Sequence, residues 1–281
     1  MPALSIWAAR TPTFTVTSTT HVYTLYNSSK KLFYETENEN YQTRDFILTL
    51  LFEKNNNLST YFAIIADFIE KKFQKKIVED NEKVLQARFA DAAFYWENDL
   101  KTNLEERKGL LFDIQFHQKL GTFEDKTKRM EFFALSLATQ LNLQCNSNDV
   151  TQAVKLSKFD LTTGLVREFP ELQGIIGGYI AEVEKKSQIV CLALKEQYLP
   201  KGPSDLCPKS NLSILLSLSD KLDTLLGFFL IDEMPTSSKD PYALRRSALG
   251  ILRIIVENNL KIELDYLLNQ RFLNHNQVCK L

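Results

Sequence analysis

From about residue 78 to residue 268 apolar residues recur at helical spacing with few interruptions, and this limits the fold more than any other feature of the chain. Between Val78 and Leu100 the positions Val84, Leu85, Phe89, Ala92, Ala93 and Trp96 fall on one side of a 3.6-residue repeat. Further helices are expected over Glu105–Phe116, Lys126–Leu141, Thr151–Phe169, Ile175–Lys186, Gln188–Tyr198, Asn211–Phe229 and Pro241–Asn258. Breakers separate them at Gly121, Asn146-Ser147-Asn148, Pro170, Pro200-Lys201-Gly202-Pro203 and Pro235-Thr236-Ser237-Ser238. Asp240 before Pro241 reads as an N-cap followed by proline at the first helical position. The expected fold class is mainly α: one all-helical domain over 78–268, with a tail over 269–281.

The front of the chain has a different pattern. Residues 1–45 read as a divergent extension in which the run Thr11 to Thr20 alternates Thr with apolar residues, as an exposed strand or a disordered arm does. Tyr34 to Arg44 is polar and acidic and reads as a linker. Over 46–77, Phe46–Phe52 and Tyr61–Ala66 flank Glu53-Lys54-Asn55-Asn56-Asn57, the pattern of a β-hairpin.

Composition narrows the function classes. The formal net charge of -1 leaves no global basic field, so any contact with nucleic acid has to come from a local patch. Cys145, Cys191, Cys207 and Cys279 form no CxxC pair and match no zinc spacing; reduced thiols in a reducing, cytoplasmic setting are expected. No apolar run approaches the roughly 18 residues of a membrane span. The N-terminus lacks the charged and apolar regions of a secretory signal. Residues 1–34 hold no acid and only Arg10, Lys30 and Lys31 as bases, a weak transit-peptide pattern.

Several short segments, in order and at consistent spacing, carry a resemblance. They are Asn81–Leu85 running into Arg88–Ala92, Tyr95–Leu100, Phe116–Thr122, Glu168–Gly174 and Tyr198-Leu199-Pro200. The most specific are Asp220-Lys221-Leu222-Asp223-Thr224-Leu225 and Ser238–Arg246. Over roughly 52–265 the chain resembles the beta subunit of the two-subunit, bacterial-type glycyl-tRNA synthetase family. The resemblance implies an HD-like helical domain preceded by a short β-containing segment. It implies an alpha subunit as partner, which carries the ATP, glycine and adenylate chemistry, so that no cofactor is bound by this chain. It implies tRNA(Gly) as the second partner, met weakly by this chain, and no membrane. Family beta subunits continue into an anticodon-binding domain, and this chain stops at Leu281 before one; alone it is expected to catalyse nothing.

The HD resemblance raises a second reading, a metal-dependent phosphohydrolase, and a third is a non-catalytic helical interaction module. A working HD site needs a His, a His-Asp pair and a later Asp as ligands for divalent ions. This chain has only His21, His117 and His275. Lys158-Phe159-Asp160 stands at the His-Asp pair, Lys126 at the first His, and Asp220 fits the last Asp. Ammonium groups offer a metal no lone pair, so no catalytic and no metal-ligating residue is assigned. His117 reads as a polar residue near a helix end. Gly174, Gly177 and Gly178 lack dinucleotide-loop spacing and read as a tight turn with close helix packing.

Basic residues near the last long helix are the candidates for RNA phosphates: Lys239, Arg246 and Arg253. Arg246, Arg253 and Glu257 share one stripe, which also allows structural ion pairs. Arg245 falls inside the apolar arc Ala248, Leu249, Leu252, Ile255 and Val256 when the helix is started at Pro241. It is expected to be buried and paired with Asp220 or Asp223, which lie at i and i+3 on the preceding leucine-rich helix.

Overall fold

The structure, a computed structural model, describes residues 22–27, 31–34, 47–52, 58–66 and 74–263. Thr11–Thr20, the linker after Tyr34 and the tail 269–281 lie outside the described residues. By internal contacts the chain divides into two compact units, residues 1–99 and 100–281.

The first unit contains a four-stranded antiparallel sheet in the order β2-β1-β4-β3. Its strands are β1 Val22–Asn27, β2 Lys31–Tyr34, β3 Ile47–Phe52 and β4 Leu58–Ala66. The expected hairpin is present as β3 against β4, with Leu48 opposite Ile64 and Leu50 opposite Phe62. The sheet is larger than that hairpin, because β1 pairs with the other edge of β4 and places Thr24 opposite Ile64. Two strands of the segment read as an extension are therefore part of the sheet; their aromatic and β-branched residues suit a pleated surface. Helix α1, Gln74–Asp99, completes this unit. Its buried residues Val78, Leu85, Ala92 and Asp99 are seven apart, with Trp96 beside them, which makes a single buried stripe. The division between the units at Asp99 follows this helix, whereas the sequence reading opened the helical domain before it, at 78.

The second unit is helical and confirms the mainly α class. Its helices are α2 Leu104–Gly109, α3 Phe123–Gln140, α4 Ser147–Lys155, α5 Gly164–Glu168, α6 Ile175–Val183, α7 Gln188–Glu196, α8 Asn211–Leu230 and α9 Leu244–Glu257. Side chains satisfy the free amides at most helix starts: Asn103 for α2, Asn146 for α4, Thr163 for α5, Ser187 for α7 and Ser210 for α8. Thr122 and Asp125 form a reciprocal capping box at α3. Helix α8 is the axis of the unit. Every residue from Leu212 to Asp223 is buried, and α3, α4, α7 and α9 all pack on it. A leucine-rich helix buried on all sides has to be enclosed in this way, and its buried polar residues then need partners from the enclosing elements.

Two expected helices are broken. The one read over Glu105–Phe116 ends at Gly109 and continues as a 3₁₀ turn, Leu110–Asp113. A small ribbon follows, β5 Gln115–His117 against β6 Gly121–Thr122. The one read over Thr151–Phe169 ends at Lys155. Lys158 has φ +69°, which no α-helix accommodates, and a 3₁₀ turn Phe159–Thr162 leads into α5.

Candidate functional site

The strongest concentration of chemistry lies along one side of α8, where Asp220, Lys221 and Asp223 are buried in an otherwise leucine-rich helix. Two charged segments meet them. Helix α3 presents Lys126 and Arg129, and the turn after α4 presents Lys158 and Asp160. Lys126 Nζ lies 3.0 Å from Asp220 Oδ1 and 3.3 Å from Asp223 Oδ2, and donates to Thr224 Oγ1 at 2.7 Å. Lys158 Nζ lies 2.9 Å from Asp220 Oδ2 and 3.8 Å over the Tyr198 ring. Arg129 grips Asp223 with two donors, Nε at 2.7 Å and Nη2 at 3.1 Å, and its Nη1 donates to Leu120 O at 2.7 Å. Asp160 accepts a short hydrogen bond from the Gly174 amide.

Buried charge survives only where partners replace water; the ion pairs to Asp220 and Asp223 supply most of them here, while Asp160 Oδ1 is left without a hydrogen-bond partner. Burial alone would raise the Asp220 carboxyl, but the Lys126 and Lys158 ammonium groups outweigh it and hold it well below the usual carboxylate range. Burial brings Lys158 down to about 8 against the pull of Asp220. Burial pushes the Asp160 carboxyl up, opposed by the Gly174 amide and by Lys158.

Lys126, Lys158, Asp160 and Asp220 are the four positions that the HD resemblance aligns with a metal site. The donor set does not fit a divalent ion. Each oxygen of Asp220 already faces an ammonium group, and lysine presents only donors. Among the described residues no three His, Cys, Asp or Glu side chains gather as a metal set. His117 lies elsewhere, on β5, where its Nδ1 accepts from the Lys119 amide at 3.3 Å and its Nε2 is 3.5 Å from Glu233. Its ring packs edge-on against Phe228 and Tyr242, the setting of a structural histidine.

The glycines after this turn are conformational and steric. Gly174 has φ +89°, and a Cβ on Gly178 would come within 2.6 Å of Cys191 O, so α6 and α7 meet nearly backbone to backbone.

The expected Arg245 pairing is corrected. Arg245 is exposed, and its Nη2 donates to the Thr236 carbonyl; Asp220 and Asp223 draw their cations from α3 and the Lys158 turn instead. The error lies in the phase assigned to α9. Its buried residues are Leu244, Gly250, Ile251 and Ile254, while the arc containing Arg245 faces outward, with Leu249 62%, Leu252 53% and Val256 72% exposed. Both faces of the helix are apolar, and the one that carries Gly250 is buried. A Cβ there would lie 2.8 Å from Lys221 Cε, so a larger residue would require the Lys221 side chain to shift. The start of the helix differs as well. Pro241 lies in a turn, α9 begins at Leu244, and Asp240 caps it by accepting from the amides of Leu244 at 2.8 Å and Arg245 at 3.0 Å.

The phosphate candidates are placed differently from one another. Arg253 is committed to structure, donating to Gly202 O at 2.9 Å and Asp205 O at 2.8 Å and pairing with Glu257 at 2.8 Å. It ties the Pro200–Pro208 segment to α9. Lys239 and Arg246 are exposed. Arg246 lines a cavity of about 270 Å³ together with Lys201, Asp220 and Lys221. The cysteines Cys191 and Cys207 are buried thiols raised by that burial, and Cys145 is half-buried. Among the described residues no helix is long and apolar enough to cross a membrane.

Comparison with known proteins points the same way as the short segments of the sequence. The profile of the family described as "Glycyl-tRNA synthetase beta subunit" matches residues 39–280. The chain is 45% identical over 208 residues to a glycine–tRNA ligase beta subunit of Rhodospirillum centenum, a match covering 74% of this chain and 29% of that protein. It is 44% identical over 222 residues to that of Coxiella burnetii strain Dugway 5J108-111, covering 79% and 32%. For Acinetobacter baumannii strain AYE the values are 43% over 230 residues, 82% and 33%. The chain spans about a third of the length of the curated relatives it matches.

Proposed function

The chain belongs to the glycyl-tRNA synthetase beta subunit family, and we propose that it supports ATP-dependent joining of glycine to tRNA(Gly) as a helical, non-catalytic part of a cytoplasmic beta subunit. In this reading an alpha subunit carries the ATP and glycine chemistry, and this chain binds no cofactor. The helical unit is an HD-like domain whose metal centre has been replaced by ion pairs. Lys239 and Arg246 are its exposed contacts for RNA phosphates, and the expected binding of tRNA is weak.

The observation that carries this reading is the buried set Lys126, Lys158 and Asp220. At the positions that the HD resemblance aligns with a metal site, these groups neutralise one another, which supports the reading. The same observation disfavours the phosphohydrolase alternative, which requires open ligands and a metal-bound water.

The test is co-expression with the alpha subunit of the same organism. Co-purification of the two, weak tRNA binding with a shallow salt dependence, and no glycylation by this pair alone are expected. Failure to associate with alpha would remove the proposal. Robust glycylation by the pair would contradict the assignment of this chain as a supporting part that is insufficient by itself.

A further inference from the structure

Four cations, Lys126, Arg129, Lys158 and Lys221, stand around Asp160, Asp220 and Asp223, and Arg129 also faces Asp125. Asp223 pairs with Arg129 and Lys126, Asp220 pairs with Lys126 and Lys158, and one oxygen of Asp160 accepts from the Gly174 amide while its other oxygen has no hydrogen-bond partner. Lys221 is the cation left over. It is 7% exposed, its stem runs beneath Gly250 of α9, and its Nζ donates to Tyr198 O at 3.1 Å. An ammonium has three donors, and among the described residues no ion pair to Lys221 is formed.

Lys221 opens onto the 270 Å³ cavity between the Pro200 segment and the start of α9. Two more cations line that cavity. Lys201 is held in place by Asp205 Oδ2, which accepts from its backbone amide at 2.8 Å, and its Nζ reaches Gln173 O at 3.4 Å. Arg246 reaches the cavity from the first turn of α9, where its side chain is exposed. Ser247 and Tyr198 also line it, and the single carboxylate on its wall, Asp220, is already matched by two lysines. A buried ammonium with no ion pair costs free energy that a bound counter-anion returns. The arrangement suits a compact, multiply charged oxyanion that accepts from several donors at once.

We propose that this cavity binds a phosphoryl oxyanion, held between Lys221, Lys201 and the guanidinium of Arg246. The RNA arm of the proposal deepens the reading of Arg246 as a phosphate contact and rests on it; binding of sulfate or free phosphate does not. The phosphoryl group is either a phosphodiester of RNA or the phosphate of a free nucleotide, and both present the same oxygens. Burial keeps the Lys221 ammonium at about 8, opposed by Asp220 and reinforced by the like charges of Lys158 and Lys126. The nearby Cys207 thiol and the Tyr198 carbonyl complete its surroundings.

The test uses the full chain and sodium sulfate, an anion of fixed charge in this pH range, compared with sodium chloride at equal ionic strength. Sulfate and inorganic phosphate are expected to raise the melting temperature and to give a saturable calorimetric titration where chloride does not. Arg246→Ala, a change at an exposed residue, is expected to weaken sulfate about fivefold, and Lys221→Met about tenfold, as loss of a charge-assisted hydrogen bond does, each compared with its own unliganded melting temperature. Sulfate binding should also weaken as pH rises through about 8, where Lys221 and Lys158 lose their protons. Competition separates the sources. Displacement by a short RNA but not by AMP assigns the site to RNA, and the reverse assigns it to free nucleotides. Sulfate acting no differently from chloride, or Arg246→Ala binding as tightly as the parent chain, would overturn the proposal.

Discussion

Asp220 holds two buried ammonium groups in place, and this sets the consequence of removing it. Asp220→Ala leaves Lys126 and Lys158 enclosed without their main counter-charge, and deleting one partner of a buried pair typically costs about 3–5 kcal/mol. Arg245→Ala, at a position once expected to make that pair, is expected to cost under about 0.5 kcal/mol, the usual range for a surface substitution. Urea unfolding of the two variants distinguishes them directly. The pH dependence follows from the same residue. The folded Asp220 carboxyl is held below its unfolded value, near 4, so the unfolded chain takes up its proton first as pH falls. The stabilisation is complete above about pH 5 and is lost progressively below pH 4. The urea midpoint should therefore fall on acidification, and this limb should be shallower in Asp220→Asn; an unchanged acid limb in that variant would contradict the assignment. The need of Asp220 and Asp223 for cations was legible in the sequence, since two acids on one face of a leucine-rich helix require partners. Which cations answered it was not. Lys126 and Lys158 lie far from α8 in the chain, and only the tertiary fold brings them to it.

Helices fail or hold at their glycines, and the α6–α7 hairpin is the clearest case. Gly178→Ala places a methyl against Cys191 O and the Lys195 stem, and the backbone oxygen cannot step aside. Overpacking of this kind costs about 1–3 kcal/mol, which thermal denaturation would register as a clear drop in melting temperature. Gly109→Ala meets nothing within 4 Å at ordinary helical φ and should be neutral or slightly stabilising. A drop for Gly109→Ala equal to that for Gly178→Ala would mean that close approach is not the cause. Most helices of the second unit were legible from periodicity and breakers, including α8 nearly to its ends. The broken ones were not. Lys158 adopts a left-handed conformation to turn its ammonium toward Asp220, and no propensity argument finds that. Nor could periodicity choose the buried face of α9, where Leu249, Leu252 and Val256 offer as apolar an arc as Leu244, Ile251 and Ile254.

At the scale of the whole molecule, a chain of the glycyl-tRNA synthetase beta subunit family carries a mainly helical unit in which the buried Asp220 is matched by Lys126 and Lys158. The short motifs that carry the resemblance include residues of the buried cluster, Asp220, Lys221 and Asp223, and Arg246 of the neighbouring cavity, whereas Lys239 and Arg245 of the same motif are exposed and lie outside both. The central claim is that Lys126 and Lys158 stand in for the metal, and metal content measured together with nucleotide turnover tests it most directly. The purified chain, equilibrated with manganese, magnesium or zinc and then desalted, should retain no stoichiometric metal and should hydrolyse no nucleotide. One equivalent of bound metal per chain, or turnover that disappears in Asp220→Ala, would contradict the account.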